Sequence, residues 1–140
     1  MSFQNNTIEI AEPEIKIPKP KIAEELTLLP DTEGQVIVHG FFKNRGDWPE
    51  LIRIWSTTFL IANNSFHKSR LVHFENITLY PYWTPIEVGV THRFTLIFTG
   101  LPKSCKTFDL VEEIPQAGGF EIRNILRNRT DVYQINFGGS

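Results

Sequence analysis

Residues 93–100, Arg-Phe-Thr-Leu-Ile-Phe-Thr-Gly, alternate strictly, with Phe94, Leu96 and Phe98 on one side and Thr95, Ile97 and Thr99 on the other. A period of two belongs to a strand with one buried face, whereas a helix would scatter those bulky side chains around its axis. The run breaks at Gly100-Leu101-Pro102 and restarts at residues 107–114, Thr-Phe-Asp-Leu-Val-Glu-Glu-Ile. The spacing predicts two neighbouring strands joined at a Leu101-Pro102 corner, with Phe94, Leu96, Phe98, Phe108 and Leu110 in the core.

The same grammar extends to residues 31–137. Strands are expected at 35–42 (QVIVHGFF), at 51–62 as one continuous run (LIRIWSTTFLIA), and at 70–81. In the last of these, Leu71, His73 and Glu75 alternate against Val72 and Phe74. Residues 119–125 (GFEIRNI) and 131–137 (DVYQINF) close the set. KNRGDWPE, ANNSFHKS and QAGG read as turns or loops, and prolines 81 and 85 make YPYWTP a bend. No stretch of ten or more residues carries a helical period. Short strands separated by Pro, Gly and Asn predict an all-β domain, an antiparallel sandwich or barrel. Eleven Phe and three Trp in 140 residues suffice for one core.

Residues 1–30 are different in kind. Ile8, Ile10, Ile15, Ile17 and Ile22 interleave with charges, and Pro13, Pro18, Pro20 and Pro30 recur among them. Proline fixes φ and removes a backbone donor, so a helix or central strand is disfavoured and an extended arm is expected. Spaced isoleucines suit an arm that lies along a partner, or wraps its own sheet, better than a bare linker. Residues 138–140 read as a flexible tail.

Several function classes are excluded or weakened. A net charge of −2 argues against a general nucleic-acid binder. The single cysteine, Cys105, cannot form an internal disulfide, and a reducing compartment is compatible. No signal peptide and no apolar run long enough to cross a bilayer is visible, so a cytoplasmic protein is expected, with an exported mature chain as the alternative. Arg45-Gly46-Asp47 and the N-x-S/T sequons at Asn5, Asn63, Asn76 and Asn128 are short enough to arise by chance.

On a strand, Asp109 and Glu112 point to opposite faces, and Asp109 and Glu113 share a face about 13 Å apart, so solvated charges are expected rather than a chelate. Cys105 sits between Lys103 and Lys106, which would lower a thiol pKa, but no base or oxyanion signature accompanies it. His39, His67, His73 and His92 show no metal-ligand spacing. Residues 123–129 (RNILRNR) suggest a hairpin tip with solvated or partner-facing arginines. The strongest recognition cue is the bend 80–85, where Tyr82 and Trp83 could anchor a protein, a proline-rich peptide or a sugar, or simply plug a sandwich end. Catalytic residues, cofactors and metals are not expected.

With the strands placed, RFTLIFTGLPKSCKTFDLVEE followed by GFEIRNI resembles a module of Bacteroidota-type proteins: an F-x-L-x-F strand, a Leu-Pro corner, a short polar loop, F-D-L-x-E, then F-x-I-x-x-I. LIRIWSTTFLIA and RLVHFENI are similar to its earlier strands. The resemblance implies an immunoglobulin-like antiparallel β-sandwich acting as a non-catalytic accessory domain. On that footing the chain is expected to be a structural subunit of a bacterial multiprotein assembly, with a protein partner or a second copy of itself. Its arm (Ile8, Ile10, Ile15, Ile17, Ile22) would add as a strand to an exposed sheet edge, with Tyr82 and Trp83 as anchors. The alternative is a ligand-binding module using the 80–83 bend.

Overall fold

The computed structural model describes residues 34–138. Among them every regular element is a strand: β1 Val36–Lys43, β2 Glu50–Ile52, β3 Thr58–Ala62, β4 Lys68–Glu75, β5 Thr84–Ile86, β6 Thr91–Phe98, β7 Thr107–Glu112, β8 Glu121–Leu126 and β9 Val132–Asn136. Seven strands form one sheet in the order β8-β7-β3-β4-β6-β1-β9, and β2 pairs β5 in a small separate ribbon. The all-β expectation holds. The antiparallel one is corrected at one place, because β9 runs parallel to β1.

The sheet curls until its two ends face one another. Phe108 on β7 meets Tyr133 on β9 edge-on, with ring centroids 5.1 Å apart, although four strands lie between β7 and β9 in the sheet. Phe137, just past β9, packs on both Phe120 and Phe94 at 5.1 and 5.0 Å. Such tilted contacts suit the aromatic quadrupole. The enclosed core holds Val36, Val38, Leu60, Leu96, Phe98 and Leu110, all fully buried. Phe94, Phe108 and Leu101 are buried with them, as the alternation predicts.

Three expectations about the strands are corrected. Residues 51–62 are not one strand: the chain turns after Trp55, where the Thr58 hydroxyl donates to the Trp55 carbonyl at 2.7 Å, so β2 and β3 enter different sheets. The 107–112 strand does not neighbour β6. It crosses at the Leu101-Pro102 corner to lie between β3 and β8. In β4 the register shifts between Leu71 and His73: Leu71 pairs with Phe98, and His73 with Ile97. Val72 is the extra residue of a bulge. Leu71 therefore joins Phe74 against the core, while His73 pairs across from the outward residue Ile97.

A second bulge, in β8, sets Arg123 and Asn124 against Asp109. Asn124 takes a φ of 56°, and its N–H donates to the Asp109 carboxylate at 2.8 Å. Bulges bend a strand and tighten its twist, which is what a sheet needs to curl.

β8 and β9 do not pair with each other, so the curled sheet stays open. The gap at one end is bridged by polar side chains. Arg127 donates from Nε and Nη2 to the two carboxylate oxygens of Asp131, each at 2.9 Å, and from Nη1 to the Pro102 carbonyl at 2.6 Å. The Tyr133 hydroxyl donates to Asp131 at 2.9 Å and accepts from the Asn128 N–H at 3.0 Å. Burial, the Asp131 hydrogen bond and the Asp131 charge push the Tyr133 hydroxyl up to about 12, against the lowering effect of the Asn128 N–H and of Arg127. The expected solvated Arg127 is instead an internal brace.

Gly40 shows how closely the layers approach. A Cβ there would lie 2.6 Å from the Phe137 ring and 2.7 Å from the Phe94 ring. Gly40→Ala should therefore force those two rings apart and lower stability by about 1–3 kcal/mol, read as a fall in the urea midpoint with an unchanged slope. An unchanged midpoint would show that the rings are not held there.

Candidate functional site

The end of the fold opposite the Arg127 brace is open. A cleft of about 400 Å³ lies there, between the last residues of β1, β7 and β9 and the links that flank the β2–β5 ribbon. Its interior is apolar, lined by Phe42, Ile77, Phe94, Ile114, Phe120 and Phe137. The volume is in the ordinary range for a small-ligand or side-chain pocket.

One lip is a layered stack. Trp55 and Tyr80 stack with centroids 3.9 Å apart at 23°. The Arg53 guanidinium lies 4.6 Å from the Tyr80 ring and 3.7 Å from the Trp83 ring. Arg53 also donates from Nη1 to the Pro81 carbonyl at 3.2 Å, which ties β2 to the bend. A guanidinium is planar and weakly hydrated, so it sits on aromatic faces at little desolvation cost. Backbone bonds hold the lip in place: Ile54 N–H to the Thr78 carbonyl, and Tyr80 N–H to the Ile54 carbonyl, each 2.8 Å. Asn44, fully buried, secures the neighbouring turn by donating to the carbonyls of Trp48 and Ile86 at 2.8 and 3.0 Å.

Glu112 lies inside. It is 9% exposed, and its carboxylate accepts the Trp55 N–H at 3.1 Å. Burial pushes its carboxyl above the ordinary carboxylate range, against the lowering effect of backbone hydrogen bonds from Trp55 and Phe120 and of the Arg53 charge. Gly119 lets the backbone close over it, since a Cβ there would stand 2.5 Å from the Glu112 carbonyl oxygen.

The sequence-derived site residues divide. Trp83 is 43% exposed and lines the cleft. Tyr82 is 66% exposed and lies outside the lining. Ile8, Ile10, Ile15, Ile17 and Ile22 fall outside the described residues. The acidic trio is split: Asp109 sits beside Arg123 at 3.5 Å and Glu113 beside Lys68 at 3.0 Å, both on the outer face, while Glu112 turns inward. The expectation of three solvated charges therefore fails for Glu112, and also for Asp109, whose side chain is 13% exposed and accepts the Asn124 N–H.

Cys105 is buried at 3%, and burial pushes its thiol up rather than down, outweighing the lowering effect of Arg127. The four histidines have separate partners: His39 with Thr95, His67 with Ser69 and the Gly100 carbonyl, His73 with Glu75, and His92 with the Asn76 carbonyl. Among the described residues no group of three His, Cys, Asp or Glu side chains could hold a metal. No described helix is long and apolar enough to cross a membrane.

Sequence reasoning missed Arg53, Glu112, Phe120 and Phe137. One signal was available: Arg53 and Trp55 are two apart in an extended run, hence on one side of it, and Trp83 follows in a bend that must fold back. Comparison with known proteins finds no matching family model, no matching curated protein and no matching solved structure.

Glu112 makes a prediction with a definite sign. A carboxyl whose folded pKa is raised holds its proton where the unfolded chain has lost it, so stability falls as pH rises from the ordinary carboxylate range through the raised value. Glu112→Gln removes the charge and keeps an oxygen for the Trp55 N–H. Its melting temperature should decline less than the wild type's between pH 4 and pH 7 (roughly the carboxylate window). Parallel pH profiles for the two proteins would contradict the burial of the charge.

Proposed function

We propose that this protein is a non-catalytic module for protein–protein contact, and that the contact is made by a linear, proline-containing peptide held in the end cleft. The observation that carries this reading is the lip itself, where Trp83, Arg53, Tyr80 and Trp55 stand in register beside an apolar interior. Aromatic-walled grooves take extended proline-rich segments because the ligand is already stiff and loses little entropy on docking. An apolar anchor side chain would enter among Phe94, Phe120 and Phe137, and the stack would receive the peptide beside it.

A carbohydrate is the poorer fit. Sugars need several polar side chains around the stacking ring, and the cleft offers Arg53, Glu112 and Gln116 against a mostly apolar wall. Assembly by strand addition has separate support in β8 and β9, which are the edge strands of the curled sheet among the described residues. We further read the curled sheet as a variant of the immunoglobulin-like sandwich of the Bacteroidota-type accessory module. The facing of β7 and β9 across one core supports that reading.

Tryptophan fluorescence of the full chain, titrated with a blocked deca-proline peptide and in parallel with maltoheptaose, tests the proposal. The peptide should bind and the sugar should not. Trp83→Ala should weaken peptide binding about tenfold or more, as loss of an interface aromatic does, with an unfolding midpoint close to wild type. Binding of the sugar alone, or of neither probe, would overturn the reading.

A further inference from the structure

The described chain begins at the wrong end for a ligand. β1 starts at Val36, and the next residue, Ile37, donates its N–H to the carbonyl of Asp131 in the brace. The far end of β1 contributes Phe42 to the cleft. The cleft and the start of β1 are thus separated by the length of an eight-residue strand, roughly 25 Å.

The sequence before that point contains the chemistry the cleft fits. Residues 16–22 read Lys-Ile-Pro-Lys-Pro-Lys-Ile. Two prolines, at 18 and 20, fix φ near the polyproline value and provide flat rings for an aromatic lip. Ile17 and Ile22 offer branched apolar side chains for the interior.

Reach is sufficient. Ile22 lies 12 positions before Gly34, and that much chain extends to about 40 Å at most, well beyond the strand length it must retrace. A tethered ligand whose tether spans the gap meets its site at an effective concentration of roughly millimolar. A segment on another molecule does not have that advantage at ordinary protein concentrations.

We propose that residues 16–22 of this chain occupy the end cleft of the same molecule, with Pro18 and Pro20 against the Trp83 lip. The inference rests on the peptide-recognition reading and names its first ligand. It makes the N-terminal segment a built-in competitor, so an outside peptide binds by displacing it. Displacement reduces apparent affinity by the fraction of molecules whose cleft is open.

Paramagnetic broadening on the full chain tests this directly. Ala23→Cys is labelled with a nitroxide, and buried Cys105 leaves the new thiol as the reactive one. In the nitrogen-15 protein the indole signals of Trp83 and Trp55 should lose intensity several-fold relative to the reduced, diamagnetic sample. The amide of Lys103, near the brace, should keep its intensity. The loss should persist on tenfold dilution, diminish in a Pro18→Gly, Pro20→Gly variant, and reverse with excess deca-proline peptide.

Undiminished Trp83 and Trp55 signals would overturn the proposal. So would equal broadening of nitrogen-15 chains without the nitroxide when they are mixed with spin-labelled chains of natural nitrogen, which would place a second copy's segment in the cleft. If the peptide binds while no broadening is seen, self-occupancy fails and peptide recognition stands. If neither is seen, both fail.

Discussion

The curl of the seven-stranded sheet is the constraint on which the rest depends. A flat sheet would leave Phe108, Phe94, Leu96 and Phe98 with no apolar layer to cover them. By folding over until Phe108 meets Tyr133, the sheet becomes its own second layer. Because β8 and β9 never pair, the closure relies on side chains. At one end the Arg127–Asp131–Tyr133 brace joins the last loop to the Leu101-Pro102 corner. Arg127 and Asp131 interact in a fork geometry with both carboxylate oxygens engaged, and the remaining donors find carbonyls, so the partly buried charges are compensated. At the other end no comparable brace exists among the described contacts, and there the interior stays open as the cleft.

The cleft follows from that asymmetry. Phe94 and Phe137 stand at its floor because Gly40 gives their rings room. Arg53 links two segments that the chain separates by more than twenty residues, and it does so through ring faces and one backbone carbonyl. Glu112 is the cost of this arrangement: a carboxylate turned inward, held by the Trp55 N–H, with its pKa raised by burial. A site with an apolar floor and an aromatic lip is suited to an apolar, proline-bearing chain.

Much of the core was legible from period alone. Phe94, Leu96 and Phe98 in one strand, and Phe108 and Leu110 in another, keep strict alternation, and each lands inside. Alternation failed where an extra residue interrupts it. Val72 in β4 is apolar and β-branched, so nothing in the local composition marks it as a bulge, yet the bulge puts Leu71 and His73, expected on one face, on opposite faces. The single long strand expected over 51–62 failed for a similar reason. Strand propensity is high throughout, and only the turn at Trp55, closed by Thr58, divides it between two sheets.

Local pattern establishes that the described part of the chain is all-β, where its Leu-Pro corner lies, and that the 80–85 bend carries its most recognisable aromatics, because period, proline and glycine act over a few residues. It also set apart a proline- and isoleucine-rich N-terminal segment whose composition differs from the rest. Only the tertiary structure decided which strands are neighbours, that β9 runs parallel to β1, and that Glu112 faces inward beside Arg53. Those outcomes depend on register and on contacts between residues far apart in the chain, such as Trp55 with Glu112 and Arg53 with Trp83. Local pattern carries no record of distances it does not span.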